Sequence, residues 1–484
     1  MSLLERLLAD TKTRLFIGGE WREASDGSRF TVDDPATEEV LAEVASGTPD
    51  DAIDAVAAAH EAFGPWASKA PRDRGEILRN AFEKILDREK DFAELIVREN
   101  GKAFSDALGE VRYAAEFFRW FSEEAVRNRG EVYRSPAGDK RVFVLYQPIG
   151  VSLLVTPWNF PLAMGTRKIG PALAAGCTVV LKPASDTPLV ALALADLLEE
   201  AGCPPGVVNV IPSRSSSAVV NAAMADSRVR KLSFTGSTEV GRILLAEAAK
   251  RVLSVSMELG GNAPFLVLPD ADLDSAVEGA IQAKMRNAGE ACTAANRFYV
   301  HAQVADEFTD RLTSAMERLT IGAGMEKGVD VGPLINADAR EKVASLVEEA
   351  AEEGAITTGG MAPDRKGYFY LPTVIKDVAR SAGILATEIF GPVAPIVRFD
   401  DLDDAIQQAN DTDLGLISYV YTGDERIGMS VAERLEAGMV GLNRGLISDP
   451  ATPFGGVKQS GLGREGSHHG MQEFLETKYV GADW

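Results

Sequence analysis

In the first hundred residues, apolar positions return every three or four places over 50–63 and again over 73–98. That spacing predicts two helices, each with one buried face. From residue 150 the pattern changes to short continuous apolar runs separated by longer helical ones. "GVSLLVT" (150–156) reads as a buried strand and "AMGTRKIGPALAAG" (163–176) as a helix closed by glycine. "TVVLKPA" (178–184) is a second strand, and "PLVALALADLLEEAG" (188–202) is a helix with proline at its start and glycine at its end. "GVVNVI" (206–211) and "VRKLSF" (229–234) continue the alternation, each with a helix behind it. It restarts after residue 257 with strand "PFLVL", helix 272–286, strand "RFYVH" and helix 303–319. Strands "APIVRF" (394–399) and "GLISYVY" (415–421) follow.

Such alternation implies right-handed β-α-β units and parallel sheets covered on both faces. The expected class is therefore α/β, with two doubly wound, Rossmann-like domains side by side. Before the first sheet, "GEVYRSPAGDKRVFVLYQPIG" (130–150) holds two β-prone runs around a P-A-G-D turn. That is a projecting hairpin, whose free edge suits pairing with another subunit.

Composition narrows the partners. Asp plus Glu number 72 against 50 Lys plus Arg, a formal charge of −22, which repels nucleic acid and anionic membrane. No apolar run is long and unbroken enough to span a bilayer, and "MSLLERLLADTKTRLFIGGEW" has no signal-like core, so a cytoplasmic setting is expected. Cys177, Cys203 and Cys292 are widely spaced, and the four histidines form no H-E-x-x-H pattern. Neither a disulfide framework nor a metal site is expected.

One formal dinucleotide fingerprint, "GLGREG" (461–466), fails on context, since no apolar strand leads into it and only 18 residues follow. "KLSFTGSTEVGR" is the better candidate, because a strand there runs through Gly236 and Ser237 directly into a helix whose free N–H groups favour phosphate. An ordinary capped turn fits that stretch equally well. Cys292 stands in "NAGEACTAANR", whose small and polar residues suggest an accessible loop. "TPWNFP" holds Asn159 between prolines at a strand end, "MELGGN" puts Glu258 before a Gly-Gly pair, and "EIFGP" sets Glu388 beside Phe390. Taken singly, Asn159 is as readily a helix cap and Glu258 a solvated carboxylate.

Together, in this order and spacing, "TPWNFP", "LKPA", "SFTGST", "MELGG", "GEAC" and "EIFGP" resemble the aldehyde dehydrogenase superfamily, a likeness running from "FIGGEW" to "FGGVKQSGLGREG". The resemblance implies that Cys292 is the nucleophile, Glu258 the general base and Asn159 an oxyanion donor. It implies cofactor contacts at Trp158, Lys182, Ser185, Gly236, Ser237, Glu388 and Phe390. It divides the chain into a dinucleotide-binding domain (1–124 and 144–256), a catalytic domain (257–440), a returning segment (441–464) and oligomerisation elements (125–143 and 465–484). A homodimer or homotetramer follows. Ser185 stands where NAD-preferring relatives carry glutamate, so no carboxylate repels a 2′-phosphate beside Lys182, and NADP+ preference with tolerance of NAD+ is expected. Within the superfamily the wording is most similar to succinate-semialdehyde dehydrogenases, with Arg167, Arg286 and Ser448 where that group binds the substrate carboxylate. Longer anionic aldehydes, glutarate or 2-oxoglutarate semialdehyde, are the alternative substrates. A catalytically silent structural member is the rival from another class. Ala294 replaces the second cysteine of redox-switched members, so no thiol switch is expected.

Overall fold

The apolar runs assemble into two large sheets. In the first, the parallel strands lie in the order Val208–Val210, Thr178–Lys182, Val151–Val155, Val229–Thr235 and Ser254–Glu258. The chain winds outward both ways from Val151–Val155, which creates a crevice at the carboxyl ends of Val151–Val155 and Val229–Thr235. Thr178–Lys182 is buried at every position because helices cover both faces. In the second sheet Thr373–Lys376, Val393–Phe399, Ala295–His301, Ala263–Val267, Ile417–Tyr421 and Met439–Leu442 run parallel. The computed structural model describes residues 2–10, 12–352 and 354–483. Met1, Thr11, Glu353 and Trp484 lie outside it, so the outermost residues of the expected N-terminal domain and C-terminal element are not described.

Several expectations change in detail. The helical run at 73–98 is two helices, Pro71–Asp87 and Glu89–Asn100, broken at Arg88. A further helix, Phe104–Glu124, was not anticipated, although Val111, Ala115, Phe118 and Phe121 give it a buried stripe. Both sheets carry antiparallel edges: Leu15–Ile17 with Glu20–Arg22 and Gly461–Leu462 on the first, Ala355–Thr358 on the second. The hairpin forms as expected, Glu131–Arg134 against Arg141–Pro148, but one of its edges is taken by the chain's own C-terminal strand, Leu475–Ala482. The edge left free is Glu131–Arg134, exposed at every residue. "GLGREG" opens with the short strand Gly461–Leu462, antiparallel to Met257 and Glu258. Among the described residues no helix is long and apolar enough to cross a membrane.

Candidate active site

The link Leu259–Asn262 carries the chain from the carboxyl end of Ser254–Glu258 into the amino end of Ala263–Val267. The carboxyl edge of the first sheet therefore faces the amino edge of the second. A cavity of about 290 Å³ lies at that junction, lined by Trp158, Asn159, Gly236, Ser237, Glu258, Cys292, Glu388 and Phe390 among others. Two glycines make the approach close enough. A Cβ on Gly261 would lie 2.3 Å from the Cys292 carbonyl oxygen, and one on Gly260 would lie 2.8 Å from Glu388 Oε2.

Cys292 sits differently from the sequence expectation. Its loop is not an accessible surface one: residues 287–291 and 293–295 are buried, and Cys292 alone is partly open. The chain reaches it through three successive left-handed residues, Asn287 (φ 53°), Ala288 (φ 53°) and Gly289 (φ 80°). Asn287 holds that turn, its N–H donating to Asp106 Oδ2 (2.7 Å) and its Nδ2 to the carbonyls of Asn159 (2.9 Å) and Glu290 (3.1 Å). Burial pushes the Cys292 thiol up to about 12, with Arg167 opposing. The resting sulfur is therefore protonated and needs a base.

Glu258 lines the same cavity. Burial raises its carboxyl well above the ordinary range, and the nearby Glu465 raises it further against the pull of Arg167 and Lys168. Behind it, Lys168 Nζ donates to Glu465 Oε1 (2.5 Å) and to Ser233 Oγ (2.9 Å), while Arg167 Nε pairs with Glu465 Oε2. Asn159 spends one amide hydrogen on the Glu290 carbonyl (3.1 Å), which leaves the other free. Asn159 Oδ1, Thr235 Oγ1 and Glu258 Oε2 are buried atoms of cavity residues that have no partner. Such orphaned polar groups call for a polar ligand.

The cofactor candidates divide. Ser237 caps helix Thr238–Ala249, its Oγ accepting from Val240 N (3.3 Å), so the cap and the phosphate readings coexist at one helix start. Glu388 Oε1 accepts from Gly261 N (3.0 Å); burial lifts its carboxyl to about 7, opposed by that bond and by Lys342 and Lys284. Phe390 adopts a left-handed φ of 56° and meets Trp158 edge-to-face at 5.5 Å. Lys182 and Ser185 lie outside the cavity wall, at the end of the neighbouring strand Thr178–Lys182. Lys182 Nζ donates to Ser216 Oγ, and burial lowers its ammonium to about 8 although Asp186 opposes this.

The three carboxylate candidates also divide. The guanidinium of Arg286 lies 4.9 Å over the Phe160 ring, donates to Thr293 Oγ1 (3.4 Å), and has no acidic partner within salt-bridge distance among the described residues. Arg167 is buried, 3.7 Å over Phe454, and already paired with Glu465. Both arginines bear electrostatically on Cys292. Ser448 is partly exposed in the irregular segment after Met439–Leu442. Reading the sequence missed Lys342, which lines the cavity and donates to the Glu388 carbonyl (2.8 Å), and the buried Lys168 and Glu465. Nothing in their local sequence marks them, since only folding brings them near.

Comparison with known proteins identifies the family. The model of the Aldehyde dehydrogenase family matches residues 21–480. A succinate-semialdehyde dehydrogenase of Paenarthrobacter nicotinovorans is 54% identical over 91% of this chain and 98% of its own. A glutarate-semialdehyde dehydrogenase of Pseudomonas putida is 48% identical over 97% of each chain. A crystal structure described as an E. coli NADP dependent enzyme superposes with a TM-score of 0.96 at 48% identity, covering 98% of both chains.

Proposed function

The chain belongs to the aldehyde dehydrogenase family and is an NAD(P)-dependent oxidoreductase, and from that premise we propose that it oxidises succinate semialdehyde to succinate, with NADP+ preferred to NAD+. The observation that carries the substrate reading is Arg286, a guanidinium with no carboxylate at salt-bridge distance among the described residues and near enough to bear electrostatically on Cys292. In a chain of charge −22, a local cation is what draws an anionic aldehyde in, and screening confines its pull to about 8 Å at physiological salt. Arg167 adds to the potential, though its charge is shared with Glu465. Relatives of similar identity named for glutarate semialdehyde support the longer acid as the second reading. One methylene changes binding by only about 1–3 kcal/mol.

The cavity residues support binding of the pyrophosphate and nicotinamide end of a dinucleotide. Glycine-walled space, the helix start at Ser237 and the buried carboxylate of Glu388 support a pyrophosphate and a ribose there, with Lys182 and Ser185 beyond for the adenosine end. Trp158 and Phe390 would border the nicotinamide ring. When bound, the nicotinamide supplies the acceptor for the hydride leaving the substrate carbon.

The protein's own groups do the rest. As Cys292 Sγ bonds to the aldehyde carbon, Glu258 takes the thiol proton, and a carboxyl that burial raises well above its ordinary range suits that transfer. The carbonyl oxygen becomes an oxyanion, which the free amide hydrogen of Asn159 stabilises. Loss of hydride leaves a thioester on Cys292. Glu258 releases the thiol proton to solvent and then takes a proton from the water that attacks the thioester; the C–S bond breaks, and that second proton returns to the sulfur as the acid departs.

Exposed Val132, Tyr133, Tyr479 and Val480 on the three-stranded sheet support a homodimer or homotetramer. Three unpaired thiols support a reducing, cytoplasmic setting. The test of function is initial rates of NADPH and NADH formation on succinate semialdehyde, glutarate semialdehyde and an uncharged aldehyde of similar length. Wild type should favour the acids, and Arg286→Ala should cut that preference roughly 10- to 100-fold, the worth of one charged hydrogen-bonded contact. Equal rates on charged and uncharged substrates would retain the dehydrogenase and discard the anionic one.

A further inference from the structure

Away from the reacting groups, Lys102 and Glu110 form an ion pair at 2.6 Å in which neither side chain has any exposed surface. Taking two charges fully out of water costs as much as their attraction returns, so such a pair is weak evidence of stabilisation, and apolar side chains of the same size would pack as well. The remaining hydrogen bonds show what apolar residues could not supply. Lys102 Nζ donates to the main-chain carbonyl of Asn159 (2.7 Å) and lies 4.1 Å over the ring of Phe160. Glu110 Oε1 accepts from Leu162 N (2.9 Å) and Ala163 N (3.2 Å), the first free N–H groups of helix Pro161–Ala175. One pair thus grips the chain on both sides of Phe160.

The same Asn159 carbonyl also receives Asn287 Nδ2 at 2.9 Å, and Asn287 belongs to the left-handed turn that delivers Cys292. Two donors on one oxygen therefore tie the oxyanion donor to the nucleophile loop. Lys102 is itself held from the far side: a Cβ on Gly324 would lie 2.1 Å from its carbonyl oxygen, and Phe104 N donates to Gly324 O at 3.1 Å. The geometry points to Lys102 and Glu110 as positioning residues that fix the Asn159 amide against the Cys292 sulfur, a role neither fills by touching substrate. It rests on the reading of Asn159 and Cys292 as the reacting groups.

The variant Lys102→Met/Glu110→Gln removes both charges at nearly constant volume, and it is made in wild type and in Asn159→Ala. A displaced catalytic donor costs on the order of 100-fold in rate, so kcat on succinate semialdehyde should fall about 10- to 100-fold in the wild-type background. In the Asn159→Ala background it should fall less than about twofold, because the group being positioned is gone. NADPH affinity, followed by its fluorescence, should stay within about twofold in all four proteins. An equal loss in both backgrounds, or no loss in either, overturns the proposal. Thermal unfolding checks the fold. If the double variant does not fold, Glu110→Gln alone is read the same way, and a chain that unfolds in both assigns the pair to stability and overturns the positioning role. If wild type oxidises none of the aldehydes, it is the functional reading that fails. A crystal structure of the double variant then decides the positioning separately, an unmoved Asn159 amide overturning it.

Discussion

Lys182 shows how far a single letter can be read. "KPAS" suggested a cation left without a neighbouring glutamate, and Ser185 does stand partly exposed beside it. What the letters hid is that Lys182 is buried, bonded to Ser216 Oγ and close enough to Asp186 to feel its charge. Burial lowers its ammonium to about 8, so the cation is present below that pH and fades above it. The pull on a 2′-phosphate should fade with it, while NAD+, lacking that phosphate, should notice less. The ratio of kcat/KM for NADP+ to that for NAD+ should therefore fall as pH rises from about 7 to 9. In Ser185→Glu the ratio should drop at every pH, by roughly tenfold or more for one introduced like-charge contact. A ratio flat with pH and indifferent to the glutamate would remove both residues from the phosphate site.

At the scale of elements, the strands that end at the site were legible because continuous apolar runs bounded by glycine and proline permit little else. Val151–Val155 and Thr178–Lys182 lie inside the stretches read for them, and Val229–Thr235 runs one residue past its own. The loop carrying Cys292 was not. "NAGEAC" looks like surface because its residues are small or polar, yet Glu290 is buried, with Oε1 accepting from Ile335 N at 3.1 Å. Composition reports solubility, whereas this loop meets parts of the chain distant in sequence, Gly261 at the Cys292 carbonyl, Gly391 at Gly289 and Ile335 at Glu290. The first of these meetings is testable. Gly261→Ala drives a Cβ to 2.3 Å from the Cys292 carbonyl oxygen, and overpacking of this kind costs about 1–3 kcal/mol. Thermal unfolding should shift down accordingly, and, on the proposed role of Cys292, kcat should fall by more than KM rises, since the displaced atom belongs to that residue. A variant as stable and as fast as wild type would show the contact to be slack.

For the whole molecule, function follows from how two doubly wound sheets are joined. Each sheet alone would offer a crevice at its strand ends, but Glu258 and Asn159 come from the first and Cys292 from the approach to the second. The alternation of runs was enough to see two sheets. It could not show that the carboxyl edge of one faces the amino edge of the other, nor that Lys168 and Glu465, 297 residues apart, pair behind Glu258. The junction's claim is that a base from one sheet and a sulfur from the other act on one carbon. Glu258→Gln removes the base from both steps; hydroxide from solution can still take the thiol proton slowly, whereas hydrolysis needs a base held at the thioester, so acyl-enzyme should form slowly and accumulate. The measurement is mass spectrometry of that variant after reaction with succinate semialdehyde and NADP+, digested at acid pH. A succinyl thioester on the peptide holding Cys292, formed only when NADP+ is present, is the expected result; no adduct, or one on Cys177 or Cys203, would contradict it.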